Sequence, residues 1–134
     1  MPYNARGREV YVVNNSGTIY LHGQPVIEQR DSGTFEVGIA IKQKPAHWSD
    51  GLAAQNQIQL LEPYLILRAG VVQCAIPASA TFNDGDEIYI TSANVLTTTS
   101  ASNTKFGRVV EVVGDGRGVP TGFARINMDE RNSF

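Results

Sequence analysis

Short stretches rich in Val, Ile, Thr and Tyr recur along the chain between clusters of Gly, Asn, Asp and Ser, a pattern that predicts strands joined by turns. About eight or nine strands are expected. Glu9 to Val13 is the first, closed by Asn14-Asn15-Ser16-Gly17, and Thr18 to Leu21 is its expected hairpin partner. Gln24 to Glu28 and Thr34 to Ile41 follow the turns at His22-Gly23 and Arg30-Asp31-Ser32-Gly33. Ile58 to Leu67 and Val71 to Ile76 are strongly apolar and predict two strands near the centre of the core, broken at Ala69-Gly70. Glu87 to Thr91, Val95 to Thr98, Phe106 to Val113 and Thr121 to Asn127 complete the set, with Ile88 and Ile90 facing inward.

Between Lys42 and Asn56 neither the strand nor the helix period survives, and the stretch carries Pro45 and Gly51. It predicts a long loop, of the kind that is functional or mobile in small domains. Asp50 to Leu61 is the one segment whose residues, among them Leu52, Ala53, Gln55 and Gln57, suit a short helix. The fold class expected is therefore mostly β. One small barrel or sandwich domain spans 9–128, with an extended N-terminal arm over 1–8, a tail over 129–134, and at most one or two short helices.

Composition narrows the function. A chain of 134 residues with 42% hydrophobic and 18% charged residues is globular and about the size of one domain. Its net charge is −2 and its basic residues are spread along the chain rather than gathered into a stripe, so no nucleic-acid partner is expected. The start has no apolar leader and no run approaches the ~18 apolar residues of a spanning helix. The expectation is a soluble protein made in a reducing cytoplasm, with no membrane partner. Cys74, the single cysteine, sits in an apolar run, where it predicts a small buried hydrophobe.

Candidate chemistry is sparse. A nucleophilic triad has only His22 and His47 to draw on; His22 before Gly23 is best read as a turn residue and His47 as an exposed loop residue. Two distant histidines and one cysteine give no metal-ligand spacing. Asp84 and Asp86 lack the further oxygen ligands of a calcium loop and suit a tight β turn. Gly114-Asp115-Gly116-Arg117-Gly118 is not followed by the Lys-Ser or Lys-Thr of a phosphate loop and predicts a hairpin loop. No catalytic residue, metal or cofactor is expected, and the protein is predicted not to be an enzyme.

Four turn-plus-strand motifs follow one another in the second half: Gly85-Asp86-Glu87-Ile88-Tyr89, Val95-Leu96-Thr97-Thr98, Gly107-Arg108-Val109-Val110-Glu111 and Gly122-Phe123-Ala124-Arg125-Ile126. Gly23-Gln24-Pro25-Val26 and Val37-Gly38-Ile39-Ala40 add a paired turn and a glycine-bearing strand in the first half. In order and spacing these motifs resemble the capsid decoration (cement) proteins of tailed phages, a family related in fold to the lambda-type head decoration protein. The resemblance covers most of the chain; the loop at 42–56 is longer than the family pattern has at that point. It implies a β-tulip-like domain, a homotrimer, and a place on the outer surface of the virion head. The implied partner is the major capsid protein, whose subunits it would bridge so as to stabilise the expanded capsid.

A protein of this kind needs a rigid scaffold and sticky extensions. Tyr3, Arg6 and Arg8 on the arm are candidate contact residues, since Pro2 and Gly7 resist regular structure there. His47 and Trp48 in the long loop are candidates too, Trp48 either packing back on the domain or anchoring a partner. Phe134 ends a tail that either frays or docks. Two alternatives stand beside this expectation. One is another virion β module, of a tail or fibre, binding a host glycan or a neighbouring structural protein. The other is a small β-barrel hydrolase dependent on His22 and His47.

Overall fold

The computed structural model describes residues 9–30, 33–43, 56–78, 80–112 and 122–129. They form eleven strands and no α-helix, so the fold is mostly β as the sequence pattern predicts. None of the three sheets closes into a barrel. The chain divides into two compact units, Met1–Arg68 and Ala69–Phe134, which share the span expected to be one β domain.

Unit 1 contains β1 (Glu9–Val13), β2 (Tyr20–Leu21), β3 (Pro25–Gln29), β4 (Phe35–Ile41), β5 (Gln57–Ile58) and β6 (Pro63–Leu67). Four of these make an antiparallel sheet in the order β1-β6-β4-β3, and β2 and β5 pair as a separate ribbon. Alternation sets the faces: Val12, Val26, Tyr64 and Ile66 point inward and join Tyr20, Ala40 and Ile58 in one core. Burying each large apolar side chain contributes about 1.5–3 kcal/mol relative to leaving it exposed.

Three expectations fail in unit 1. Thr18 to Leu21 is not the hairpin partner of β1; β1 pairs with β6, and Tyr20–Leu21 pairs with β5. The cause is Asn14, whose Nδ2 donates to the carbonyls of Thr18 (2.8 Å), Ile58 (3.2 Å) and Gln59 (3.3 Å) and so binds the turn across to β5. Ile58 to Leu67 is not one strand either. Leu61 is left-handed (φ 64°), Glu62 N–H donates to Gln59 O, and Gln59 N–H donates to Glu62 Oε1, closing a turn between β5 and β6. The helix expected over Asp50 to Leu61 is contradicted at 57–58, which are strand; 50–55 lie outside the described residues. Unpairing β2 and β5 would lose the bonds they make to each other and around Asn14, which outweighs the modest propensity of Gln57 for helix.

Unit 2 contains β7 (Val71–Ala75), β8 (Glu87–Ile90), β9 (Leu96–Thr97), β10 (Thr104–Val112) and β11 (Phe123–Asn127). They form one antiparallel sheet in the order β7-β11-β10-β8-β9. Ile88 and Ile90 are buried as expected, together with Cys74, Phe106, Val109 and Ile126. The strand expected over Phe106 to Val113 begins two residues earlier, at Thr104, and β10 shifts register against both of its neighbours.

The two units repeat one skeleton. The order β1-β6-β4-β3 is matched by β7-β11-β10-β8. Val10↔Ile66 and Val12↔Tyr64 in the first correspond to Val72↔Ile126 and Cys74↔Ala124 in the second. The entry turns agree bond for bond: Gly23 N–H donates to Ala40 O (2.7 Å) and Gly85 N–H to Val109 O (2.9 Å), both glycines with positive φ. Ala40 N–H returns to Gln24 O (2.9 Å), as Val109 N–H returns to Asp86 O (2.8 Å). Gly38 lies against Ile66 and Leu67 where Gly107 lies against Ile126 and Asn127.

Candidate functional site

The same skeleton carries different chemistry in its two copies, and this difference locates the site. Counting along the matched strands, Asn14, Tyr20, Glu28 and Tyr64 of unit 1 stand where unit 2 has Ile76, Phe82, Ile90 and Ala124. In unit 1 these positions are polar and buried. Glu28, the second inward residue of β3, is 3% exposed. Its Oε1 accepts from Tyr64 OH (2.6 Å) and its Oε2 from Asn15 N–H (3.1 Å). Burial, followed by the bond to Glu28, pushes the Tyr64 hydroxyl far above the ordinary tyrosine range, so it remains a donor. Tyr20 meets Tyr64 edge to face, with ring centroids 5.7 Å apart. Asn14 is wholly buried; its Oδ1 accepts from Ser16 N–H (3.1 Å) and Oγ (2.7 Å).

Above Glu28 a groove of about 370 Å³ runs between β1 and the end of β3, lined by Tyr11, Val12, Val13 and Asn15 on one side and Glu28, Gln29 and Arg30 on the other. Arg30 Nη1 is held by Glu36 Oε2 (3.0 Å), and Glu36 Oε1 also takes Arg68 (2.8 Å). Glu36 is the cross-strand partner of Glu28, so two arginines serve one carboxylate of the pair, and no described cation lies within 4.0 Å of the other.

Unit 1 also displays large apolar side chains. Ile19, Leu21 and Leu60 are about half exposed and Leu61 is 70% exposed, all on or beside the β2–β5 ribbon, and Val13 is exposed at the end of β1. Leu61 and Val13 belong to neighbouring segments, because Leu61 N–H donates to Asn14 O (2.8 Å). Exposed apolar residues so grouped mark surfaces that meet other proteins.

Unit 2 offers a polar depression of about 400 Å³, lined by Asn83, Asp86, Glu87, Tyr89, Thr98 and others. Glu87 lies below the usual carboxylate range, first because Tyr89 OH donates to it (2.9 Å) and then because Lys105 and Arg108 stand beside it. Asp86 Oδ2 accepts Asn83 N–H (2.8 Å), closing the turn the sequence predicts, whereas Asp84, in the same turn, accepts Val112 N–H at the end of β10 through its Oδ1 (2.8 Å). His22 likewise sits in a turn, its Nδ1 accepting from Lys42 N–H (3.0 Å). Cys74 is buried, which pushes its thiol up to about 12. Among the described residues no three His, Cys, Asp or Glu side chains come together as a metal site.

Tyr3, Arg6, Arg8, His47, Trp48 and Phe134, the contact residues expected from the sequence, all lie outside the described residues. The residues that do converge, Glu28, Tyr64, Asn14 and Tyr20, were not singled out in the sequence. A signal existed for Glu28: it occupies the inward phase of a strand set by Val26. No family model matches the chain, and no curated protein matches it in sequence.

Proposed function

We propose that the protein is a structural subunit of a phage virion, a decoration protein that binds the outer surface of the head and bridges major capsid subunits in the expanded shell. On this reading the chain is one sandwich-like, β-tulip-like β domain with an N-terminal arm, acts as a homotrimer, and is made in the host cytoplasm before joining the virion. Catalysis, cofactors, nucleic acid and membranes play no part. Each copy buries surface across a joint between coat subunits, and many such sites acting in parallel oppose the outward pressure of the packaged genome.

The observation that carries the reading is the exposed apolar group of Ile19, Leu21, Leu60 and Leu61 on an antiparallel scaffold. Covering such a group lowers the free energy by about 25 cal/mol for each Å² of apolar surface removed from water. The motif resemblance over Gly85–Tyr89 and Gly107–Glu111 supports the address.

The test is co-sedimentation of the purified protein with expanded and unexpanded heads of the phage that encodes it. Saturable binding to expanded heads is expected. Binding to neither form would overturn the proposal. Light scattering on the free protein measures its mass, which is expected at three copies.

A further inference from the structure

We propose that the groove beside β1 is a strand-acceptor site, which takes an extended, basic segment of a partner protein as an added β-strand. The inference rests on the reading of the protein as a subunit-binding module and specifies where the partner chain lies.

The backbone supplies the first support. Among the described residues β1 is outermost in its sheet and pairs only with β6. Asn14 N–H bonds Glu62 O, and in an antiparallel ladder the bonded residues alternate, so Val12 and Val10 also face β6. Pro63 opposite Val13 agrees with that phase, since proline has no N–H to give there. Tyr11 and Val13 therefore aim their N–H and C=O groups away from β6, along the edge that borders the groove. An edge of this kind is a template for another strand. Tyr11 is 63% exposed.

Charge supplies the second and sets the occupant. Glu28 lines the groove with a carboxylate that uses two of its roughly four acceptor positions, one on Tyr64 and one on Asn15. Arg30, the one cation among the described residues lining the groove, is turned to Glu36. A buried carboxylate is favoured by a cation brought to it, so a Lys or Arg on the added strand is the complementary side chain. The fold does not demand this arrangement, because unit 2 builds the same strands with Ile90 and Ala124 in place of Glu28 and Tyr64.

The experiment uses the full chain and two labelled eight-residue probes, one alternating Lys and Val, the other alternating Glu and Val, followed by fluorescence anisotropy. The Lys-Val probe is expected to bind and the Glu-Val probe not to. Tyr11→Pro removes an outward N–H without touching the bonds to β6, and is expected to weaken binding about tenfold or more. Tyr11→Thr keeps the N–H and should keep binding; Glu28→Gln should reduce the preference for the basic probe. Gln73→Pro, at the matching outward position of β7, controls for a general effect of edge proline and should bind like wild type, with circular dichroism checking that each variant is folded. Equal binding of both probes, or indifference to Tyr11→Pro in a folded variant, overturns the proposal. So does loss of self-association in Tyr11→Pro, which would make a second copy the occupant. If the Lys-Val probe binds as described but wild type ignores expanded heads, the virion reading fails and the acceptor site stands. If heads bind wild type and Tyr11→Pro alike, the acceptor site fails and the virion reading stands.

Discussion

Units 1 and 2 use one strand order, one pair of glycine entry turns and one close strand contact at Gly38 and Gly107, yet they fill the frame differently. Unit 2 has Ile76, Phe82, Ile90 and Ala124 at four places of the frame, and β9 runs beside β8. Unit 1 buries Asn14, Tyr20, Glu28 and Tyr64 at matched positions, and β3 is the last strand of its sheet. Since burying polar groups opposes folding unless each finds a partner, the apolar version is the simpler solution to the same architecture. The polar version persists in the copy that also carries a groove and the larger exposed apolar group. Difference between copies thus separates what the skeleton needs from what a partner needs.

The comparison breaks first if the shared skeleton is wrong. A methyl at Gly38 would run into Leu67 O and Ile66 Cγ2, and one at Gly107 would stand 2.7 Å from both Asn127 O and Ile126 Cγ2. Neither glycine has a positive φ, so contact alone is tested. Gly38→Ala is expected to destabilise by about 3 kcal/mol or more and Gly107→Ala by about 2. Urea denaturation measures both, and an unaffected midpoint in either would deny the close approach in that unit.

A middle-sized effect addresses the polar core. Glu28→Ile, which imports the residue of unit 2, leaves Tyr64 OH and Asn15 N–H without their acceptor and should destabilise by about 1–3 kcal/mol. Tyr64→Phe should lose a similar amount by stripping Glu28 Oε1 of its donor. The double variant should lose less than the sum, because the second change removes a group already orphaned by the first. Strict additivity in thermal melts would mean that the pair is not coupled.

The smallest effect belongs to unit 2 alone, since Pro25 stands where unit 2 has Glu87. Tyr89, Lys105 and Arg108 hold the folded Glu87 carboxyl below its ordinary value of 4.5. Its contribution is therefore complete above pH 4.5 and is lost as the pH falls through the lower, folded value. Glu87→Gln should flatten that acid limb slightly, and because the group is exposed the difference should vanish in about 1 M salt. An acid limb steeper than wild type would contradict the assigned direction.

Strands were legible wherever β-branched and aromatic residues run together between turn formers, as in β1, β4 and β10. Pairing partners were not. Asn14 redirects the chain after β1 through bonds from its side chain to residues more than forty positions away, and no local pattern announces that. The break at Leu61 depends on Glu62 closing a turn inside an apolar run. The repeat was hidden for a related reason. Matched positions such as Val12 and Cys74, or Tyr20 and Phe82, share burial rather than identity, and few keep the residue itself: Val10 with Val72, Gly23 with Gly85, Gly38 with Gly107 and Ile66 with Ile126. Of the site, Glu28 could have been found as a charge in the inward phase of a strand, whereas the groove beside it exists only once β1 and β3 are placed.

Cys74 turns this repetition into a clock. It is the single thiol of the chain, lies in the core of unit 2 opposite Ala124, and its high pKa of about 12 leaves almost no thiolate while it is covered. A thiol reagent must wait for unit 2 to open, so its reaction rate reports how often that half unfolds while unit 1 goes unread. Valine fills the equivalent place in unit 1, and exchanging Val12 for Cys in a Cys74→Val background would move the same clock to the other half. The ratio of the two rates would say which copy of the skeleton, polar or apolar, lets go first.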